Sequence, residues 1–254
     1  MTVRPMTVQP VTVPLLGLDC AAMDAPAAAA WLAARPADAP FGYVVTPNAD
    51  HFVRLAGDPG LAAIYRGALL RLLDSRVVAR AARLLGLAVP PVAPGSDLTE
   101  CLLAAHVRPE DPVTVIGLTD PTVRRVAQRF GLCMPAHHVP PMGLAQRPEA
   151  MQAAVDFVLA HPARFVFLAV GSPQQEQLAA AIAATGRARG VGLCIGASLS
   201  FLAGTERRAP RWMQWIGAEW AFRLLRAPRR LSRRYLWDSP RVFALLWRVR
   251  ITRR

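Results

Sequence analysis

Four short runs of β-branched and aromatic residues divide the chain: Tyr43–Thr46, Val113–Ile116, Phe165–Val170 and Val191–Ile195. Each is apolar at nearly every position, which only a strand covered on both faces requires. Such strands belong inside a parallel sheet, and parallel neighbours need a long crossover. The intervening sequence supplies crossovers, with helical spacing over Ala25–Ala34, Asp58–Leu69, Leu98–Ala105, Pro121–Arg129, Pro148–Ala160 and Pro173–Thr185. The expected fold is therefore α/β, a doubly wound, Rossmann-like parallel sheet.

A second feature is confined to the C-terminus. Residues 205–254 hold 14 of the 30 arginines and five of the six tryptophans against three acids, Glu206, Glu219 and Asp238. They carry +11 of the net +13, so the preceding 204 residues are close to neutral. The division expected is an α/β catalytic core over residues 1–204 and a C-terminal basic amphipathic helical appendage over 205–254. Within it Trp212, Met213, Trp215, Ile216, Trp220, Phe222 and Leu224 form an apolar segment. After Pro240, Val242, Leu245, Leu246 and Val249 follow helical spacing, with Arg241 and Arg248 on another face. Interfacial helices have this make-up, tryptophan at headgroup depth and arginine against anionic lipid. A helical subdomain packed on the core has the same pattern. Nucleic acid fits less well, because the arginines alternate with tryptophans and no binding motif is present.

Other classes are constrained more simply. Lys is absent, a bias that genome composition explains as well as chemistry, so arginine positions carry more information than their number. The four cysteines are scattered without a C-x-x-C pair, which suits a reducing compartment and no zinc site. Met1–Pro14 is broken by prolines and lacks the apolar run of a signal peptide. Phe165–Gly171 and Val191–Gly204 are too short to span a bilayer, so a membrane contact is expected to lie on its surface.

Ligands of such sheets bind at the carboxyl ends of the strands. Three turns stand there: Thr46-Pro47-Asn48, Gly117-Leu118-Thr119-Asp120 and Gly171-Ser172-Pro173-Gln174-Gln175-Glu176. In the third, Ser172 suits an N-cap, Pro173 the first helical position and Gln175 the third, which predicts a capping box. The helix N-terminus so formed could hold a diphosphate or could be a cap alone. No G-x-G-x-x-G or Walker sequence occurs, so neither a dinucleotide cofactor nor NTP hydrolysis is indicated.

In this order the turns resemble those of the WecG/TagA/CpsF glycosyltransferases, glycosyltransferase family 26. The resemblance runs from about Tyr43 to Arg234. It rests on Thr46-Pro47-Asn48-Ala49-Asp50, Pro141-Met142-Gly143 and Gly171-Ser172-Pro173-Gln174-Gln175-Glu176. It continues through Phe201-Leu202-Ala203-Gly204, Arg208-Ala209-Pro210, Glu219-Trp220-x-x-Arg223 and Pro228-Arg229-Arg230. It implies an inverting, metal-independent transfer from a UDP-sugar to a polyprenyl-pyrophosphate-linked sugar, in surface or exopolysaccharide synthesis. The enzyme would be peripheral on the inner face of the cell membrane, with no cofactor, no nucleic acid partner and self-association open to it.

The resemblance also assigns residues. Asp74 matches the position of the carboxylate base, with Thr46 beside it. Asn48, Gly117, Gly171, Gln175 and Gly196 would contact substrate. Arg223, Arg230 and Arg233 match the arginines an appendage folds over the diphosphate, where no metal is used. No metal site is expected: His137 and His138 are taken as loop residues, and Asp97 as the cap of the Leu98 helix. Three positions depart from the family pattern. Ser75 follows the base where glycine is usual, Val92 replaces an arginine, and Leu199-Ser200 replaces Phe-Asp. The loss at Val92 favours a neutral donor sugar such as glucose over an acidic one. If Ser75 and Val92 occluded the pocket, the chain would be an inactive, membrane-associated relative.

Overall fold

The computed structural model describes residues 9–252 apart from Arg211, Gln214 and Trp215, and gives backbone only for Arg223, Arg230, Leu231 and Arg233–Tyr235. Its centre is a six-stranded parallel sheet. The chain begins with an antiparallel hairpin, β1 (Thr12–Leu15) and β2 (Leu18–Ala21), followed by α1 (Ala25–Ala33) and β3 (Gly42–Val45). Next come α2 (Ala49–Gly57), α3 (Pro59–Gly67), β4 (Leu70–Arg71), α4 (Arg76–Leu84) and α5 (Gly95–Ala105). The second half contributes β5 (Val113–Gly117), α6 (Asp120–Phe130), β6 (Ala136–His138), α7 (Pro148–Ala160), β7 (Phe165–Ala169), α8 (Gln174–Ala184), β8 (Val191–Cys194) and α9 (Ser198–Leu202). Across the sheet the order is β4-β3-β8-β7-β5-β6, with every pairing parallel.

Why the four central strands are apolar throughout is visible in where alternate residues go. Tyr43, Val45, Ile116, Val166 and Leu168 join one core, packed against α2, α3, α4, α7 and α8. Val44, Val115, Phe165, Phe167 and Leu193 point the other way, into a core made with α1, α5, α6 and α9. A period of two feeding two cores leaves no face for a polar residue. The expected doubly wound sheet is thus present, and each of its four strands is found to within one residue at either end.

Residues after 204 fold as α10 (Glu219–Arg226), α11 (Pro228–Ser232), a π-helical segment over Arg233–Asp238, and α12 (Arg241–Thr252). Pro228 separates the first two, as proline at a first helical position does. The segment returns to the body. Val242 and Leu246 of α12 are fully buried in the core shared with α2 and α4, with Val249 half-buried beside them. Arg80 Nη1 donates to the Ile216 carbonyl at 2.5 Å, and Arg208 pairs with Asp97 at 2.7 Å.

The face of α12 expected to meet lipid therefore meets protein. Its opposite side is also apolar: Phe243, Trp247 and Ile251, four residues apart, are 46%, 57% and 57% exposed. Trp212, Leu236 and Trp237 are exposed as well, while Trp215 lies outside the described residues. No helix among the described residues is long and apolar enough to cross a membrane.

Candidate active site

The carboxyl ends of β3, β5, β7 and β8 open into one cleft of about 1050 Å³. Thr46 and Asn48 enter it from the end of β3, Leu118 from β5, Gly171 and Gln175 from β7 and α8, and Gly196 and Ser198 from β8 and α9. Asp74 lines the same cleft from the segment between β4 and α4. The far wall belongs to the C-terminal region, with Arg207, Glu219, Phe222 and Arg226. Of the residues expected from sequence, Asp74, Thr46, Asn48, Gly171, Gln175 and Gly196 are brought together. Gly117 stands just behind, buried, one residue before Leu118. The side chains of Arg223, Arg230 and Arg233 lie outside the described set.

Asp74 is fixed by its neighbours' backbones. Its own N–H donates to the Pro47 carbonyl at 2.9 Å, which ties it to the Thr46-Pro47-Asn48 turn. Its Oδ2 faces the Gly95 N–H at 3.4 Å, at the amino end of α5. That end carries partial positive charge, a favourable place for a carboxylate. Gly95 packs closely on the turn: a Cβ there would stand 3.0 Å from Thr46 Oγ1, so Thr46 would have to shift to admit it. Asp74 is half-buried between its turn and the cleft, rather than a solvated acid closing a helix.

The turn after β7 differs from expectation. No capping box forms: Pro173 occupies the N-cap of α8, without a side-chain cap bond. Gln175 is used across the sheet instead. Its Oε1 accepts the Gly196 N–H at 3.0 Å, and its Nε2 donates to Glu176 Oε1 at 3.0 Å. Tyr65 Oη donates to the same Glu176 oxygen at 3.0 Å. Glu176 is only 1% exposed, and burial pushes its carboxyl above the ordinary range. Tyr65 and Cys194, in the same pocket of core, are raised for the same reason. A buried polar chain thus locks Gln175 between β7 and β8.

A capping box does occur, at the first of the three turns. Asn48 Oδ1 accepts from the Asp50 and His51 N–H groups, while His51 Nδ1 accepts the Asn48 N–H at 3.2 Å. Asn48 is therefore a helix cap as well as a cleft residue. His51, buried and lining the cleft, was not anticipated because histidine replaces the usual Glu or Gln of such a box. Asp97 is not the cap expected of it. Pro94 is, and the Asp97 carboxylate is taken by Arg208.

Gly117 owes its place to geometry. Its φ is +97°, and a Cβ would lie 2.7 Å from the Ala169 carbonyl oxygen of the neighbouring strand. Leu118 follows at φ +66°, a conformation uncommon outside glycine, and it lines the cleft. Behind the turn, His137 Nε2 lies 2.9 Å from the Gly117 carbonyl, and His138 stacks on Phe157. Both histidines are in β6 rather than in a loop. Among the described residues no three His, Cys, Asp or Glu side chains converge as a metal site.

A family model, the Glycosyl transferase WecG/TagA/CpsF family, matches residues 13–254. The chain belongs to this family. It is a glycosyltransferase, an enzyme that takes a sugar donor and an acceptor.

The arginines that sequence reasoning missed are Arg207 and Arg226, which line the cleft and whose side chains are described. Helical spacing held the signal for one: Glu219, Phe222 and Arg226 fall at i, i+3 and i+7 of α10 and share its inward face. The departures from the family pattern have plain structural outcomes. Ser75 has an extended backbone open to any residue, and its Oγ accepts the Val78 N–H at 3.2 Å, capping α4. Val92 forms a parallel bridge with Leu73. Leu199 is core, and Ser200, buried, lines the cleft. None of these closes the cleft.

Proposed function

We propose that the protein is an inverting, metal-independent transferase that moves a sugar from a UDP-sugar to a polyprenyl-pyrophosphate-linked sugar. The observation carrying this reading is the meeting of Asp74, Thr46 and Gln175 in one cleft at the strand ends. Inversion is a single displacement. Asp74 takes the proton from an acceptor hydroxyl as its oxygen bonds to the anomeric carbon and the bond to the diphosphate oxygen breaks, releasing UDP. Thr46 and Asn48 hold the reacting sugars beside Asp74. The glycine turns at Gly117, Gly171 and Gly196 let backbone approach the nucleotide, and Gln175 sits over it.

The leaving diphosphate gathers negative charge, which backbone N–H groups and arginine offset without a cation. Arg207 and Arg226 are in place for this, and Arg223, Arg230 and Arg233 belong to the same appendage. The reaction is assigned to the inner face of the cell membrane, in surface or exopolysaccharide synthesis. Two features support that: the +11 charge of residues 205–254 and the outward Phe243-Trp247-Ile251 stripe.

The test is UDP release from a panel of UDP-sugars with a synthetic polyprenyl-pyrophosphoryl sugar, wild type beside Asp74→Asn. Release that needs both substrates, persists in EDTA and falls about 10²–10⁴-fold in the variant is expected. A variant that turns over like wild type removes Asp74 from the base role. Loss of wild-type release in EDTA removes the metal-independent displacement.

A further inference from the structure

Two turns of the cleft, at Gly171 and Gly196, leave neighbouring strands side by side. Ladder bonding between β7 and β8 runs as far as Leu168 and Cys194, with one further bond from the Ile195 N–H to the Leu168 carbonyl at 3.3 Å. Beyond it the chain turns through glycines at φ +81° and +55°. A Cβ at either would meet nothing within 4 Å, so the space on that side of both turns is open. Glycine backbone is the least restrained in a chain, whereas a site that binds through backbone groups needs them fixed before its ligand arrives.

Gln175 carries the next bond across this gap. Its N–H donates to the Gly171 carbonyl at 2.9 Å, and its carbonyl accepts from Cys194 Sγ at 3.6 Å. Its side-chain Oε1 accepts the Gly196 N–H at 3.0 Å. A backbone N–H can only donate, so the amide must present oxygen there and turn Nε2 the other way. Nε2 then meets Glu176 Oε1 at 3.0 Å, an oxygen that also accepts from Tyr65 Oη at 3.0 Å. Glu176 and Tyr65 are each 1% exposed, behind the cleft wall and not part of it. Two bonds fix the plane of the amide, and one Nε2 hydrogen remains for a ligand.

Resting on the transferase reading above, we infer that Glu176 is a positioning residue for the sugar donor: through Gln175 it holds the Gly196 turn and directs the remaining Gln175 N–H. Stability alone does not call for a carboxyl here. Burying one is costly, and an apolar side chain of similar shape would fill the same space without that cost. What an apolar side chain cannot do is receive the Gln175 amide. Burial pushes the Glu176 carboxyl above its ordinary range, and the opposing hydrogen bonds from Gln175, Tyr65 and Ser172 do not cancel the rise. A neutral acid so held offers an acceptor oxygen to Gln175, as the amide of a glutamine would. Tyr65 belongs to the same device, since its hydroxyl fixes that oxygen from α3.

Calorimetric binding of UDP, which needs neither acceptor nor turnover, tests the assignment. Glu176→Gln keeps an oxygen for Gln175 and Tyr65 and should bind UDP like wild type. Glu176→Met combined with Tyr65→Phe removes acceptor and phenol together, so that no hydroxyl is left unpaired, and should weaken UDP binding about tenfold. In turnover the same double variant should raise the KM for the UDP-sugar by a similar factor and leave the KM for the acceptor unchanged, which a general loosening of the fold would not do. Without any ligand, the Gln175 side-chain amide hydrogens should exchange slowly with D2O by NMR in wild type and in Glu176→Gln, and rapidly in the double variant. A Glu176→Gln protein as weak as the double variant overturns the assignment. So does a double variant that binds UDP like wild type, or one in which both KM values rise together. Slow exchange at Gln175 in a wild type that binds no UDP would sink the transferase reading, and the donor role with it, while the lock on Gly196 stands.

Discussion

Glu176 is a residue whose chemistry departs from its surface behaviour. It is a carboxyl with almost no exposure, accepting from Tyr65 and from Gln175, and its pKa is raised chiefly by burial. The sign of the stability effect follows. An unfolded glutamate titrates near 4.5. Because the folded protein holds the proton more tightly, stability is full below that pH and falls as pH rises toward the raised native value. Glu176→Gln keeps the shape and an acceptor while removing the titration. The wild-type urea midpoint, followed upward from pH 4.5, should therefore fall relative to the variant's; parallel curves would refute a buried titrating carboxyl. Gly117 makes a second prediction of this kind. Gly117→Ala places a Cβ against the Ala169 carbonyl at positive φ, and about 1–3 kcal/mol of stability should be lost. A thermal midpoint equal to wild type would mean that β5 and β7 can part at no cost.

At the scale of elements, the sequence disclosed whatever was long or wholly apolar. The four central strands and six crossover helices were legible from period and composition. Elements lacking such a signal were not. Leu70–Arg71 has two residues, and Ala136–His138 is half-buried at the sheet edge, with two histidines. α4 opens on Val77-Val78, whose β-branched side chains favour strand. α2 starts at a capping box built with histidine. In the candidate site, Thr46, Asn48, Gly171 and Gln175 were legible because turns at strand ends must converge in a parallel sheet, whereas Asp74 and Gly196 were pointed to by the family resemblance alone. His51, Arg207 and Arg226 were not, because their approach depends on how helices pack. α12 shows the same limit: its spacing revealed two apolar faces without saying which is covered. Leu246→Ala should cost about 2–5 kcal/mol, since it empties a fully buried site. Trp247→Ser, one residue on but outward, should shift stability by no more than about 0.5 kcal/mol. A reversal of those two effects in denaturant titrations would mean that α12 packs by its other face.

For the whole molecule, charge and exposed aromatic surface lie on one region. Residues 205–254 are +11 while the rest is nearly neutral, so the field of the protein points from its C-terminal side. Electrostatic attraction alone brings such a surface to anionic lipid at roughly 1 kcal/mol per arginine close to the surface, and it weakens as salt shortens the Debye length. In the proposed docking, Trp247, Phe243 and Ile251 would add a contribution that salt does not screen, because burying apolar surface is not an ionic effect. The two contributions separate experimentally. Co-sedimentation with vesicles containing phosphatidylglycerol should exceed that with phosphatidylcholine alone, and the excess should shrink as NaCl rises. Trp247→Ser combined with Ile251→Ser should weaken binding at every salt concentration by a similar factor, about tenfold, leaving the salt slope unchanged. Arg248→Gln combined with Arg250→Gln should do the opposite and flatten the slope. Equal binding to charged and neutral vesicles, or a double serine variant that binds like wild type at high salt, would show that this face does not dock on the bilayer. The proposed lipid-linked acceptor would then have to reach Asp74 by a route other than this face.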